Sequence, residues 1–244
     1  MTTTYNFAVC ADLLAETSLF MSNEKTRYYL CGVAIDFREG RKGARLVATN
    51  GHILGLMHDT EAARGDNDTS SPYDLPIVSA ETIAAHKTAA KVAKNLKGPL
   101  WLTIKGDGVS ARAAYIVANS ACDAIARNEG TTLVWQGVVN PLIDGTFPNY
   151  RRVLPDCAKI VETSGPVTFD PRYAAPFNAI AAKGLTRSGA SRPITLYQSE
   201  QTARGPMLVT VEERPEFVGV WMPMRNSTST TSALAAAAAA IGGV

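Results

Sequence analysis

The chain has 244 residues, 46% hydrophobic and 19% charged, with a formal net charge of +2. That length can bury a sizeable core in one large or two small domains, and the composition excludes global disorder. So small a net charge excludes nucleic-acid binding driven by total charge and leaves only its local distribution to do so.

Four cysteines (Cys10, Cys31, Cys122, Cys157) lie far apart without a CxxC pair. This spacing gives no zinc pattern and no compact disulfide framework, and fits reduced thiols in a cytoplasmic protein. His52, His58 and His86 lack metal-ligand partners at useful spacing, so neither metal nor cofactor is expected. The N-terminus MTTTYNFAV has no basic segment followed by a long apolar one, which argues against a secretion signal. The Ala-rich end is shorter than the ~20 residues of a membrane span, so no membrane role is expected.

In chain order, residues 5–9 read as a strand and 10–21 as a helix with Leu13, Leu14, Thr17 and Phe20 on one face. Residues 27–37 (RYYLCGVAIDF) and 44–48 read as strands joined by the glycine-rich turn 39–43. A further strand, 52–57, follows Asn50-Gly51, a dipeptide that predicts a type I′ hairpin with φ > 0 at both central residues. The polar run 59–74 reads as an exposed loop. Next come strand 75–78, helix 80–96 and strands 100–104, 113–117 and 131–139. The residues of 118–130 leave helix and loop both open. A third pass holds strand 167–169, the N-cap pair Asp170-Pro171, a helix to about Lys183, and strands 194–197, 207–211 and 217–222. Pro176 requires that helix to start late or kink. One strand-helix-strands module thus recurs three times, an α+β fold. Between the second and third copies, 142–155 (LIDGTFPNYRRVLP) reads as a strand end, a turn at Asp144-Gly145 and a rigid passage fixed by Pro148 and Pro155. Such a segment suits a boundary between packed units, with Arg151 and Arg152 held for oriented contacts.

Chemistry-bearing motifs are few. There is no G-x-S-x-G, P-loop or G-x-G-x-x-G, and His52 with Asp144 or Asp36 has no nucleophile beside it, so the chain is not expected to be an enzyme. On helix 80–96, Lys87, Lys91 and Lys94 fall within about 60° of one another. Ala85, Ala89, Val92 and Leu96 cluster opposite, with Ile83 an exception on the lysine side. Taken alone this is a solvated face of a surface helix.

Four stretches carry a resemblance: RYYLCGV at 27–33, ATNGHILG at 48–55, the passage at 142–155 and VWMPMR at 220–225. In this order they resemble the bacterial sliding clamp, the beta subunit of DNA polymerase III, over its middle domain and the last half of its C-terminal domain. FDPRYAAPFNAI, which opens the third module, resembles the same half-domain. The resemblance implies DNA-clamp (processivity-fold) modules, antiparallel sheets outside and helices inside. It implies a clamp domain at 1–145, a shortened C-terminal one at 146–225 and a flexible Ser/Thr/Ala tail at 226–244. The half-domain expected between Pro155 and Val167 is largely absent.

The function implied is that of a processivity factor, phage-like or from a mobile element, encircling double-stranded DNA without sequence specificity. Lys87, Lys91 and Lys94 would face DNA, joined by Arg172 and Lys183, with Arg187 just beyond; such lysines hold phosphates without reading bases. A hydrophobic groove for short clamp-binding peptides of DNA polymerase and clamp loader would be lined by Thr49, Gly51, His52, Leu54, Pro148, Arg152, Val153, Val220, Met222, Pro223, Met224 and Arg225. Methionines suit varied peptides. Ile53 and Trp221 depart from the family pattern, by replacing a basic residue and by adding bulk. A homo-oligomeric ring, a trimer by domain count, would form by edge-strand pairing. The alternative is an adaptor or decoy that binds such peptides, or a host clamp, without encircling DNA.

Overall fold

A computed structural model describes residues 3–38, 41–71, 73, 75–108, 110–156, 160–161, 167–185, 190–199 and 205–224. Strand β1 (Thr4–Cys10) runs into α1 (Ala11–Thr17), extended by a 3-10 turn at Ser18–Phe20. Leu14, Thr17 and Phe20 are buried, as the helical spacing requires, while Leu13 is half-buried.

Only the second half of RYYLCGVAIDF becomes a strand, β2 (Gly32–Asp36); Lys25–Leu30 is a 3-10 helix. Turn bonds explain the difference: Arg27 N donates to Glu24 O at 3.0 Å and Cys31 N to Tyr28 O at 2.9 Å, using donors a ladder would need.

β3 (Ala44–Thr49) and β4 (Ile53–Asp59) form the expected hairpin with a different turn. Asn50 N reaches Ile53 O, so the two central residues are Gly51 and His52, and only Gly51 has positive φ, +91°. That is the sign pattern of a II′ turn rather than I′. Asn50 Oδ1 instead accepts from His52 N (2.9 Å) and Ile53 N (3.0 Å).

The polar run after β4 is built rather than loose. It supplies β5 (Ala63–Arg64), and the buried Asp68 carboxylate accepts from Asn6 N at 2.8 Å and from Arg64 and Ser70.

The second module contains β6 (Ile77–Ser79), α2 (Ala80–Ala84), α3 (His86–Ala93), β7 (Leu100–Asp107), β8 (Arg112–Val117) and β9 (Thr132–Val139). The predicted helix 80–96 is broken at Ala85, which lets Ile83 enter the core although a continuous helix would place it with the lysines. Val92 is 51% exposed, and Ala93 packs on the core with Ala85, Ala89 and Leu96. The 118–130 insertion forms a helix, α4 (Ala121–Ala126), capped by Ser120, whose Oγ accepts from Asp123 N at 3.1 Å.

The passage that follows opens with β10 (Leu142–Ile143) and closes in a 3-10 turn at Tyr150–Val153, so its second half is not extended. A two-residue β11 (Ile160–Val161) precedes the last module. No strand forms at 167–169; Thr168 O instead accepts one bond from Met224 N, 2.7 Å. Asp170 caps a 3-10 turn at Pro171–Tyr173, and α5 (Ala174–Ala182) starts late, which places Pro176 in its first turn, where no intrahelical bond is lost. β12 (Ile194–Ser199), β13 (Met207–Val211) and β14 (Phe217–Trp221) complete the chain's described strands.

Two antiparallel sheets result, ordered β5-β1-β7-β8-β9 and β10-β6-β2-β3-β4-β14-β13-β12-β11. The first two modules exchange their leading strands, β1 joining β7 and β6 joining β2. The larger sheet continues into the third module because β14 pairs with β4, Phe217 opposite Met57 through Trp221 opposite Ile53. Helices α1, α3 and α5 cover one side of these sheets, contributing Leu14, Ala89 and Phe177 to a common core. At the junction Phe20 meets Phe177 at 5.1 Å between ring centroids. There the buried Arg214 bonds Glu16 Oε2 (2.5 Å), Glu216 and Ile180 O (3.1 Å).

Candidate peptide and nucleic-acid interfaces

The β4–β14 seam gathers several of the expected groove residues. Strand alternation sends Leu54 and its partner Val220 to the sheet face away from the helices, and Ile53 with Trp221 to the helix side. Leu54 and Val220 are buried in an apolar cluster with Leu30, Val47, Phe147 and Tyr150, and Val153 packs against it. Thr49 Oγ1 ties the hairpin by donating to Ile53 O at 2.7 Å. Gly51, His52, Pro148 and Arg152 are exposed around it. Met222 N donates to His52 O at 2.9 Å, setting Met222 (38% exposed) beside the hairpin; half-buried Pro223 and Met224 (51% exposed) follow, Met224 N donating to Thr168 O. Arg225 lies outside the described residues. His52 stacks on Tyr173 with ring centroids 4.8 Å apart.

The two departures from the family pattern fall elsewhere. Ile53 is core, and Trp221 stacks on Phe177 (5.1 Å) and meets Phe169 at a tilt (4.6 Å) beneath the sheet. Leu30, Phe147 and Tyr150, by contrast, belong to the outer cluster although they were not expected there; their signal was the aromatic and apolar content of RYYL and FPNY.

The 142–155 passage is pinned over this cluster by a buried polar contact. Asp36 accepts from Tyr150 Oη at 2.5 Å and pairs with Arg151. Burial, then the bond to Asp36, push the Tyr150 hydroxyl pKa up. Of the two adjacent arginines, Arg151 is therefore structural in its contacts and Arg152 is exposed.

On the helix side, Lys87, Lys91 and Lys94 are exposed and form no side-chain hydrogen bond or ion pair among the described residues. His86 turns away from them: its Nε2 lies 2.9 Å from Asp12 Oδ1, and that hydrogen bond holds the Asp12 carboxyl below its ordinary range. The cations near α5 are engaged. Arg172 is held by Asp170 at 2.6 Å, and Lys183 lies 3.5 Å from Glu16. Arg187 lies outside the described residues. Among these residues no three His, Cys, Asp or Glu side chains gather as a metal site, and no helix is long and apolar enough to cross a membrane.

No family model matches the chain. The beta sliding clamp of Salmonella typhimurium is 27% identical over 146 residues, 59% of this chain and 31% of that protein. The sliding clamp of Bartonella birtlesii, solved with griselimycin bound, superposes with a TM-score of 0.56 at 17% identity, over 93% of this chain and 67% of that one. The DNA polymerase III beta chain of Streptococcus pneumoniae gives 0.55 at 13% identity, over 93% and 66%. The fold is that of the bacterial sliding clamp. The chain matches under a third of the Salmonella clamp and about two thirds of the solved clamp chains. In this clamp fold the free lysines and the β4–β14 cluster lie on opposite faces of the sheets.

Proposed function

We propose that the chain is a non-catalytic DNA sliding clamp: it encircles duplex DNA and tethers polymerase and clamp loader through short peptides. The observation that carries this reading is the unbroken sheet across β4 and β14, to which all three modules contribute strands, with α1, α3 and α5 on the same side. Lys87, Lys91 and Lys94 on that side are free for phosphates, and a sliding protein needs such sequence-blind, salt-sensitive contact. On the other side, exposed Met222 and Met224 would join the Leu54–Val220 floor in a groove for an apolar peptide, with His52 and Arg152 as polar anchors. Two strands at sheet ends, β9 and β11, are the edges through which copies would join into a ring, a trimer by domain count.

The decisive experiment combines light scattering with retention on circular and linear duplexes. A stable multimer kept on closed circles and lost from linear ends supports the ring. A monomer that binds clamp-binding peptide but stays on neither substrate favours the adaptor. That second reading draws on the sequence, which leaves too little chain between Pro155 and Val167 for the half-domain the resemblance implies.

A further inference from the structure

The five-stranded sheet carries, on its face away from α1, α3 and α5, a recess of about 230 Å3 that neither proposed interface uses. Asn6, Thr103, Lys105, Arg112, Arg127 and Gln136 form its polar walls. Helix α4 covers the neighbouring half of this face, where Trp101, Ala114 and Ile116 pack with Ala121 and Ala124. The recess is the uncovered half.

Three cations converge there. Lys105 and Arg112 stand directly opposite each other in the β7–β8 ladder. Side chains so paired begin about 5 Å apart, and like charges at that position repel. Arg127 adds the third charge from the end of α4, where its N–H donates to Asp123 O at 2.7 Å and its φ is 56°. All three side chains are exposed, and none makes a hydrogen bond or ion pair among the described residues. No carboxylate among the described residues lines the recess. Asp107, two residues along β7, accepts from the Thr4 hydroxyl at 2.9 Å instead.

We propose that this recess binds one phosphate group. Opposed like charges without a counter-ion leave the site one anion short, and the volume is below the roughly 300 Å3 at which pockets for whole drug-sized ligands begin. Two guanidinium forks and an ammonium offer more donors than a carboxylate's two oxygens can use, whereas a phosphate presents an acceptor to each. Free phosphate and the phosphate of a nucleic-acid strand share this chemistry.

Isothermal titration of the full chain with inorganic phosphate, at constant ionic strength, tests the site. The expected result is saturable one-to-one binding, weakened about tenfold in Arg112→Gln and partly restored in Arg112→Lys. A Lys87/Lys91/Lys94→Glu variant keeps it, which separates this site from the helix face. An unchanged affinity in Arg112→Gln, or heat that sodium chloride reproduces, overturns the proposal. A short single-stranded DNA that displaces phosphate from the wild-type chain but leaves Arg112→Gln unaffected assigns the strand as source; no displacement assigns free phosphate. Equal displacement by oligoglutamate overturns the phosphate assignment in favour of an acidic protein segment.

Discussion

Two cationic surfaces on the helix side look alike in the sequence and are opposite in state. On α3, Lys87, Lys91 and Lys94 project into solvent without partners among the described residues. Around α5, Arg172 is taken by Asp170, Lys183 by Glu16, and Arg214 by Glu16 and Glu216. The first set is available to a polyanion; in the second, Arg172 is neutralised within its own turn, and Lys183 and Arg214 are spent on holding the third module against α1. A lysine or arginine at the right helical angle therefore says little until its carboxylates are located.

The sharpest way to break this contrast is at Arg214. Glu16 and Arg214 are both buried, so Arg214→Ala leaves the Glu16 carboxylate with only the longer Lys183 contact at 3.5 Å and should cost about 3 kcal/mol in chemical denaturation. A loss near zero would mean the α5 cations are as free as those of α3. Lys87/Lys91/Lys94→Glu should do the reverse, leaving the denaturation midpoint unchanged while duplex association falls. With the milder Lys→Gln triple, the slope of log affinity against log salt should shrink by about 2 to 3, measured by fluorescence anisotropy. At the proposed peptide groove, Met224→Ala should weaken a clamp-binding peptide by about tenfold with no change in stability, since Met224 is 51% exposed. The smallest effect concerns pH. The Asp12 carboxyl is held down chiefly by its hydrogen bond to His86, so that bond's stabilisation is present above the ordinary aspartate range and is lost as pH falls through the depressed value. Asp12→Asn should flatten the acid limb of a stability profile slightly; an unaltered limb would show that the bond contributes nothing.

Local features were legible wherever short-range physics decides them. Apolar alternation placed β3, β4, β8 and β13, and Asp170-Pro171 marked the start of its helical turn as capping chemistry requires. The recurrence of the module, and the four family-like stretches, located the fold and gathered Leu54, Val153 and Val220 in one cluster. What stayed hidden depends on distant partners. Tyr28-Tyr29 favours a strand by propensity, yet turn bonds within 24–31 override it. β5 exists because Asp68 finds Asn6, 62 residues away. The engagement of Arg214 by Glu16 spans 198 residues and has no local trace. Ile53 and Trp221 read as intruders in the groove because their facing depends on strand register, which only the β4–β14 pairing reveals.

That pairing has a mechanical corollary. Where most multi-domain proteins join by a tether that lets the parts swing, here a ladder from Phe217 to Trp221 and the Glu16–Arg214 clasp rivet the last module to the first. Prising the body apart at that rivet would sever a row of backbone bonds at once. In the ring proposed above, compliance would then fall to the joints between copies rather than within each body, and opening it would mean pulling there.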